Sequence, residues 1–247
     1  MKISGVVIAK NEEEMIADCL DSIAFCDEVL VVDNESTDRT AEIAERMGAK
    51  VEKHEASDFS KLRNFGLKQA TGDYILYIDS DERVSGELRK NILNSLDAQT
   101  VAYKLRRQNF YLGKNPWPKI EQIERLFLKS KLKGWKGRLH ESPEYIGETK
   151  VLDGFLLHFT HRNLTQMLNK TIEWSDIEAK NRFEAGHPKI TWWRFPRVMI
   201  TTFIDYYFIQ RGYRVGTVGL IESVYQAFSI MITYAKLWEL QNKEVKE

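Results

Sequence analysis

The stretch Gly72-Asp-Tyr-Ile-Leu-Tyr-Ile-Asp-Ser-Asp81 decides the fold. Tyr74 to Ile78 is an unbroken apolar run of strand length, the pattern of a strand covered on both faces. It ends in two carboxylates one residue apart. In an open parallel sheet, ligands collect outside the carboxyl ends of the strands. Asp79 and Asp81 are therefore expected at a crevice and not in the core.

The flanking residues read the same way. Ser4-Gly-Val-Val-Ile-Ala9 and Glu28-Val-Leu-Val-Val-Asp33 predict two further strands, and Met15, Ile16, Cys19, Leu20 and Ile23 recur between them at helical spacing. Asn34-Glu-Ser-Thr-Asp38 offers capping side chains to a second helix through Ala41, Ala44 and Met47, closed at Gly48. A weaker strand near Val51 and a helix carrying Leu62, Phe65 and Ala70 complete a β/α alternation, which predicts a mainly parallel sheet flanked by helices. After a helix marked by Leu88, Ile92, Leu93 and Leu96, Val101 to Arg107 and Ile123 to Lys129 read as strands in mixed or antiparallel pairing. The Pro- and Trp-containing segment Tyr111 to Ile123 reads as an irregular loop between them. From Leu164 the signal is helical, through Met167, Leu168, Thr171 and Ile172 and again after Pro196. Residues 1–160 are expected to form one domain and 161–247 a helical C-terminal appendage.

Composition narrows the function. The 247 residues carry 36 basic and 36 acidic side chains, so no global field draws the chain to nucleic acid. Cys19 and Cys26 alone, with no signal-like segment at the start, predict reduced thiols in a cytoplasmic protein. The apolar stretches Val198 to Ile209 and Ser223 to Ala235 read as too short to span a bilayer. The first strand is followed by Ala9-Lys-Asn-Glu-Glu13, with neither G-x-G-x-x-G nor G-x-x-x-x-G-K-[ST], so a dinucleotide fold and a P-loop are both excluded. A haloacid-dehalogenase-like phosphatase would place its Asp-x-Asp on the first strand, with Thr or Val where this chain has Arg83.

Asp79-Ser80-Asp81 supplies paired hard oxygen ligands suited to Mg²⁺ or Mn²⁺; the competing reading is a cap for the helix beginning near Ser85. Asp33, at the end of the second strand, has the acceptors to read a base imide or ribose hydroxyls. Lys61 and Arg63 can set cationic donors against phosphate or sugar oxygens.

Val7-Ile-Ala-Lys-Asn-Glu-Glu13, Val31-Val-Asp-Asn-Glu-Ser-Thr-Asp38, Arg63-Asn64 and Gly72 to Asp81 resemble, in order and spacing, family 2 glycosyltransferases of the GT-A fold, a Rossmann-like architecture. Arg125-Leu-Phe, Gly137-Arg-Leu-His-Glu141 and Lys236-Leu-Trp-Glu239 make the chain similar to the small bacterial lipopolysaccharide-core β-glucosyltransferase-like group. The resemblance implies a nucleotide-sugar site at Ala9, Asn11, Glu12, Asp33, Lys61, Arg63, Asp79, Ser80 and Asp81. It implies a metal, Mn²⁺ or Mg²⁺, on Asp79 and Asp81, completed by a late histidine, His158 before His161. It also implies a base at Glu141, where many members carry Glu-Asp, with Asp153 or Glu144 next in line, and His140 and Arg125 on the acceptor side. The implied reaction is inverting transfer of a hexose from a UDP-sugar to a hydroxyl of a bacterial surface glycan or glycolipid. A nucleotidyltransferase of related fold would bring a Gly/Lys-rich loop near the first strand, which is absent; a non-catalytic nucleotide-sugar-binding protein is the other alternative.

Ile190-Thr-Trp-Trp-Arg-Phe-Pro-Arg197 combines indoles and guanidinium groups ahead of an apolar helix, a composition suited to the inner face of the cytoplasmic membrane. Packing on the catalytic domain or a homodimer contact is the alternative use of that region.

Overall fold

A computed structural model describes all residues except 57, 98, 138–140 and 244–247. Among the described residues, ten strands and seven α-helices follow in the order β1 (Ile3–Ala9), α1 (Ile16–Ser22), β2 (Glu28–Asp33), α2 (Thr40–Arg46), β3 (Lys50–Lys53), α3 (Phe59–Gln69), β4 (Tyr74–Asp79), β5 (Glu82–Val84), α4 (Gly86–Ser95), β6 (Thr100–Tyr111), β7 (Asn115–Leu128), β8 (Leu132–Lys136), β9 (Ser142–Tyr145), β10 (Glu148–Phe159), α5 (Leu164–Glu184), α6 (Arg194–Ile204) and α7 (Thr217–Lys243). Eight strands form one mixed sheet in the order β3-β2-β1-β4-β7-β6-β10-β5, and β8 and β9 form a separate ribbon.

β1, β2, β3 and β4 run parallel. Their apolar runs divide by parity, as a pleated strand requires. Val7, Val31, Leu76 and Ile78 pack with Ile16, Cys19, Leu20, Leu88 and Ile92 of the helices on one face. Val6, Ile8, Leu30, Val32, Ile75 and Tyr77 pack with Leu62 of α3, Phe127 and Trp135 on the other. Gly66 lets α3 approach closely: a Cβ there would meet Val6 Cγ1 at 2.5 Å.

The segment expected to be an irregular loop, Tyr111 to Ile123, is instead largely strand. Its turn is short, because Leu112 (φ 43°) and Gly113 (φ 96°) both take the left-handed backbone that tight hairpin turns need. Pro116 and Pro118 lie in the part of β7 that β4 does not reach, since β4 pairs with β7 at Leu126–Leu128.

Contacts divide the chain into two compact units, Met1–Gln108 with Ile120–His158, and Asn109–Lys119 with Phe159–Glu247. In the second, α7 packs on α5 and α6, around a core of Ala179, Ile190, Tyr234 and Leu237. The stretch Ser223 to Ala235, read as too short to span a bilayer, lies inside the 27-residue α7, which is long and apolar enough to cross a membrane by length and composition. Its inner face is nevertheless polar in part. Glu222, fully buried, is bonded to His161 Nδ1 at 2.9 Å, and Ser223 and Thr233 are buried as well.

Candidate active site

Register brings the acidic residues level. Ile8 of β1 is paired with Asp79 on one side, and Ala9 is paired with Asp33 on the other. The chain turns back across the sheet at this point, with β2 to one side of β1 and β4 to the other, which is where such folds open a crevice. The loops after β1 and β2 are stitched together there. Asn11, in left-handed backbone, donates its N–H to Ser36 Oγ and accepts from Thr37 N–H through Oδ1 at 2.8 Å, while Glu12 N–H donates to Thr40 Oγ1. Asp33 is fully buried, and its carboxylate accepts from Ser36 N–H at 3.3 Å.

Asp79 is held by two arginines. Arg63 Nη2 lies 2.9 Å from Oδ1 and Arg125 Nη2 lies 2.6 Å from Oδ2. Burial pushes this carboxyl up, but Arg125 and then Arg63 pull it down by more, so it sits well below the usual carboxylate range. Arg63 also donates from Nε to Glu141 Oε1 at 3.0 Å, linking the end of β4 to the segment that enters β9. The Arg63 guanidinium is fixed by aromatic faces, 4.9 Å from the Trp135 ring and 5.7 Å from that of Tyr77. Trp135 is placed in turn by Asn64, whose side chain bonds both its N–H and its C=O. Arg63 Nη1 and Arg125 Nε are buried without a hydrogen-bond partner among the described residues.

Asp81 faces His158, with Oδ2 to Nε2 at 3.4 Å. The imidazole is there because β10 pairs antiparallel with β5, setting His158 opposite Glu82. Burial disfavours protonation of His158, yet the charge and hydrogen bond of Asp81 outweigh it and raise its pKa. Among the described residues no group of three His, Cys, Asp or Glu side chains is placed to hold a metal ion by itself. The Asp81–His158 pair fits a divalent cation that takes its remaining ligands from a diphosphate, as Mg²⁺ commonly does. Asp79 has both oxygens engaged by arginines.

Two residues of this cluster carried no signal that sequence reading used. Glu82, directly after Asp81, is fully buried, accepts from Asp79 N–H at 3.0 Å and meets Arg107 at 3.3 Å and Arg125 at 3.5 Å. Arg107 also pairs with Glu121 at 2.7 Å. An acid placed next to the paired aspartates, with Arg125 already singled out, was the available clue. The capping reading of this stretch is not what the structure contains, since Ser85 Oγ accepts from Leu88 N–H and is the N-cap of α4. Arg83 shapes the turn by donating to the carbonyls of Ser80, Glu82 and Met15.

Several expected site residues stand apart. Lys61 pairs at 3.1 Å with Asp58, the N-cap of α3, and is 62% exposed. Asp153, 81% exposed, pairs with Arg106, and Glu144 with Lys136. Neither of these alternative bases is bonded into the arginine cluster. His161 is bonded to Glu222 and stacked on Tyr111. His140 lies outside the described residues.

The family model described as Glycosyl transferase family 2 matches residues 4–158. An uncharacterized glycosyltransferase of Rickettsia typhi is 31% identical over 98% of this chain and 88% of its own length. The lipopolysaccharide core biosynthesis glycosyltransferase LpsC of Rhizobium meliloti is 26% identical over 97% and 93%. Among solved structures, a Pyrobaculum calidifontis mannosyltransferase in complex with GDP-Man and Mn²⁺ superposes with a TM-score of 0.54 at 15% identity, covering 96% of this chain and 87% of that one. Staphylococcus aureus TarS in complex with UDP gives 0.50 at 18% identity, covering 99% and 92%. Both likenesses are of fold, and the fold is GT-A.

Proposed function

Because the chain belongs to glycosyl transferase family 2, we propose that it transfers a hexose, with inversion, from a UDP-sugar to a hydroxyl of a bacterial surface glycan or glycolipid such as lipopolysaccharide core. One observation carries the reading. Register sets Asp33 and Asp79 on either side of the end of β1, and Arg63 ties Asp79 to Glu141. The similarity to LpsC supports the acceptor class.

In this reading Asp33 accepts from the base or ribose of the donor, and the stitched Ala9 to Glu12 loop walls the nucleotide. Arg63 Nη1 and Arg125 Nε, buried donors without partners among the described residues, are available to donor oxygens, since unpaired buried donors are rare in folded proteins. A divalent cation, Mn²⁺ or Mg²⁺, would be held by Asp81 and His158 and would neutralise charge on the departing diphosphate. Glu141 takes the proton of the acceptor hydroxyl. The acceptor oxygen then bonds to the anomeric carbon as the bond from that carbon to the diphosphate oxygen breaks, and the electron pair leaves with UDP. Attack from the face opposite the diphosphate inverts the centre. Arg63 holds the Glu141 carboxylate toward Asp79 and limits its rotation, a positioning role.

Calorimetry of UDP binding tests the reading. UDP is expected to bind more tightly with Mn²⁺ or Mg²⁺ than with EDTA, and Asp81→Ala should remove the difference. Affinity unchanged by metal, with normal UDP binding by Asp81→Ala, would refute the assignment of Asp81.

A further inference from the structure

The helical unit carries an apolar surface that its own core does not use. No residue of α6 is buried, and none is buried in the π-helical turn Asp205–Ile209 that continues it. Pro196, Ile200, Ile204 and Phe208 recur every four residues, which aligns them along one side of a helix; the last three are 58%, 42% and 56% exposed. Trp192, just ahead of the helix, is 81% exposed.

The ends of this surface are cationic. From His187 to Gly216 the chain carries Lys189, Arg194, Arg197, Arg211 and Arg214 against a single acid, Asp205, in a protein with no net charge. That acid is already engaged, because Asp205 Oδ2 accepts from Gln210 Nε2 at 2.6 Å. Trp193 stacks with both nearby guanidinium groups, Arg194 at 4.9 Å and Arg197 at 5.6 Å from its ring centre. Indole and guanidinium together form a unit that is apolar on one side and cationic on the other, the chemistry of a lipid headgroup layer. α6 with its π turn is about 24 Å long and is interrupted by charges, which suits lying in an interface and not crossing it. A second copy of the chain fits this surface poorly, since a two-fold contact sets the same patch on both subunits and would bring the arginines together. α7 has the length to span, but its buried Glu222 and polar inner face commit it to the helical core.

We propose that Trp192 to Ile209 seats in the surface of an anionic phospholipid bilayer, with Ile200, Ile204 and Phe208 among the acyl chains and the flanking arginines at the phosphates. This inference is independent of the transfer reaction. Co-sedimentation of the full chain with phosphatidylglycerol-rich or phosphatidylcholine vesicles tests it. The wild type is expected to pellet with anionic vesicles at low salt, and at least about tenfold more weakly with neutral vesicles or at high salt. The double variant I200D/I204D should lose about tenfold or more in vesicle binding while keeping its circular dichroism and melting temperature, since both side chains are exposed. W192S, at a still more exposed position, should weaken binding in the same direction. Wild-type protein that stays in the supernatant at low salt overturns the proposal, as does undiminished binding by folded I200D/I204D. Light scattering that shows a dimer dissociated by I200D/I204D, with no vesicle binding, would assign the surface to a second copy instead.

Discussion

Replacing Arg125 by methionine keeps most of the buried side-chain volume and removes one guanidinium from the acidic cluster. Arg125 Nη2 is 2.6 Å from Asp79 Oδ2 and 3.5 Å from Glu82 Oε1. At an effective dielectric constant of 20 the nearer contact is worth about 6 kcal/mol of Coulomb attraction. Desolvation of the buried ions opposes it by several kcal/mol, so the intact pair contributes little net stability. Deleting one partner is a different quantity, because two carboxylates are left short of a cation, at a cost of about 3–5 kcal/mol. Asp79 keeps Arg63 at 2.9 Å and Glu82 keeps Arg107 at 3.3 Å, which places the expected loss at the lower end, about 3 kcal/mol. For a chain of this length that lowers the melting temperature by about 6–12 °C. The sign with pH follows from the depressed Asp79 value. Its contribution is present above about pH 4 and is lost as pH falls through the folded value, whereas in the variant that carboxyl moves up. The gap between wild type and variant should therefore be full at neutral pH and narrow below about pH 5 as the variant takes up protons. Thermal and denaturant unfolding at both pH values measure this. Stability within about 1 kcal/mol of wild type, together with a raised acceptor KM, would refute it and make Arg125 an acceptor contact.

Glu141→Gln should retain fold and donor affinity while turnover falls about 100-fold or more, the scale for loss of a general base; steady-state kinetics with retained UDP binding check this, and near-normal turnover would move the base elsewhere. Burial pushes the Cys26 thiol up to about 12, aided by the charge of Asp27, and lifts Cys19 higher still. Native protein at neutral pH should therefore resist alkylation at both cysteines and react fully once denatured, as mass spectrometry would show. Ser85→Ala removes the acceptor for Leu88 N–H and for Phe155 N–H on β10, and should cost about 1–2 kcal/mol in denaturant unfolding.

β1, β2 and β4 were legible because parallel strands covered on both faces must be continuous apolar runs, and β2 and β4 begin and end where Glu28 to Asp33 and Tyr74 to Asp79 predict; β3, Lys50–Lys53, has a single apolar residue and gave a weaker signal. The placement of Asp33 and Asp79 at neighbouring strand ends was legible for the same reason, since each closes an apolar run beside β1. Partners were not legible. Arg63 and Arg125 read as contacts for donor and acceptor, yet their charges meet Asp79, Glu141 and Glu82, and sequence spacing of 16 to 78 residues carries no trace of those pairings. The segment Tyr111 to Ile123 departs from its loop reading because Pro and Trp mark loops on average, whereas here a three-residue turn, with Leu112 and Gly113 in left-handed backbone, lets the chain reverse at once. Ser85 follows four polar residues, Asp79 to Glu82, that offer the same capping chemistry, and only the backbone course makes it the N-cap of α4.

Gly66 gives the ion cluster a mechanical reference. It occupies the turn of α3 next to Arg63, and the absence of a methyl group there sets how deeply the helix settles on β1. Val6 Cγ1 belongs to a branched side chain locked between strands, so a Cβ at position 66 would have to lift the helix itself. A lift of even about 1 Å would carry the guanidinium out of bonding range of both Asp79 and Glu141 at once. The link between Asp79 at the end of β4 and Glu141 just ahead of β9 thus depends on a residue that touches neither, and selection for a small side chain at position 66 would act through the reach of Arg63.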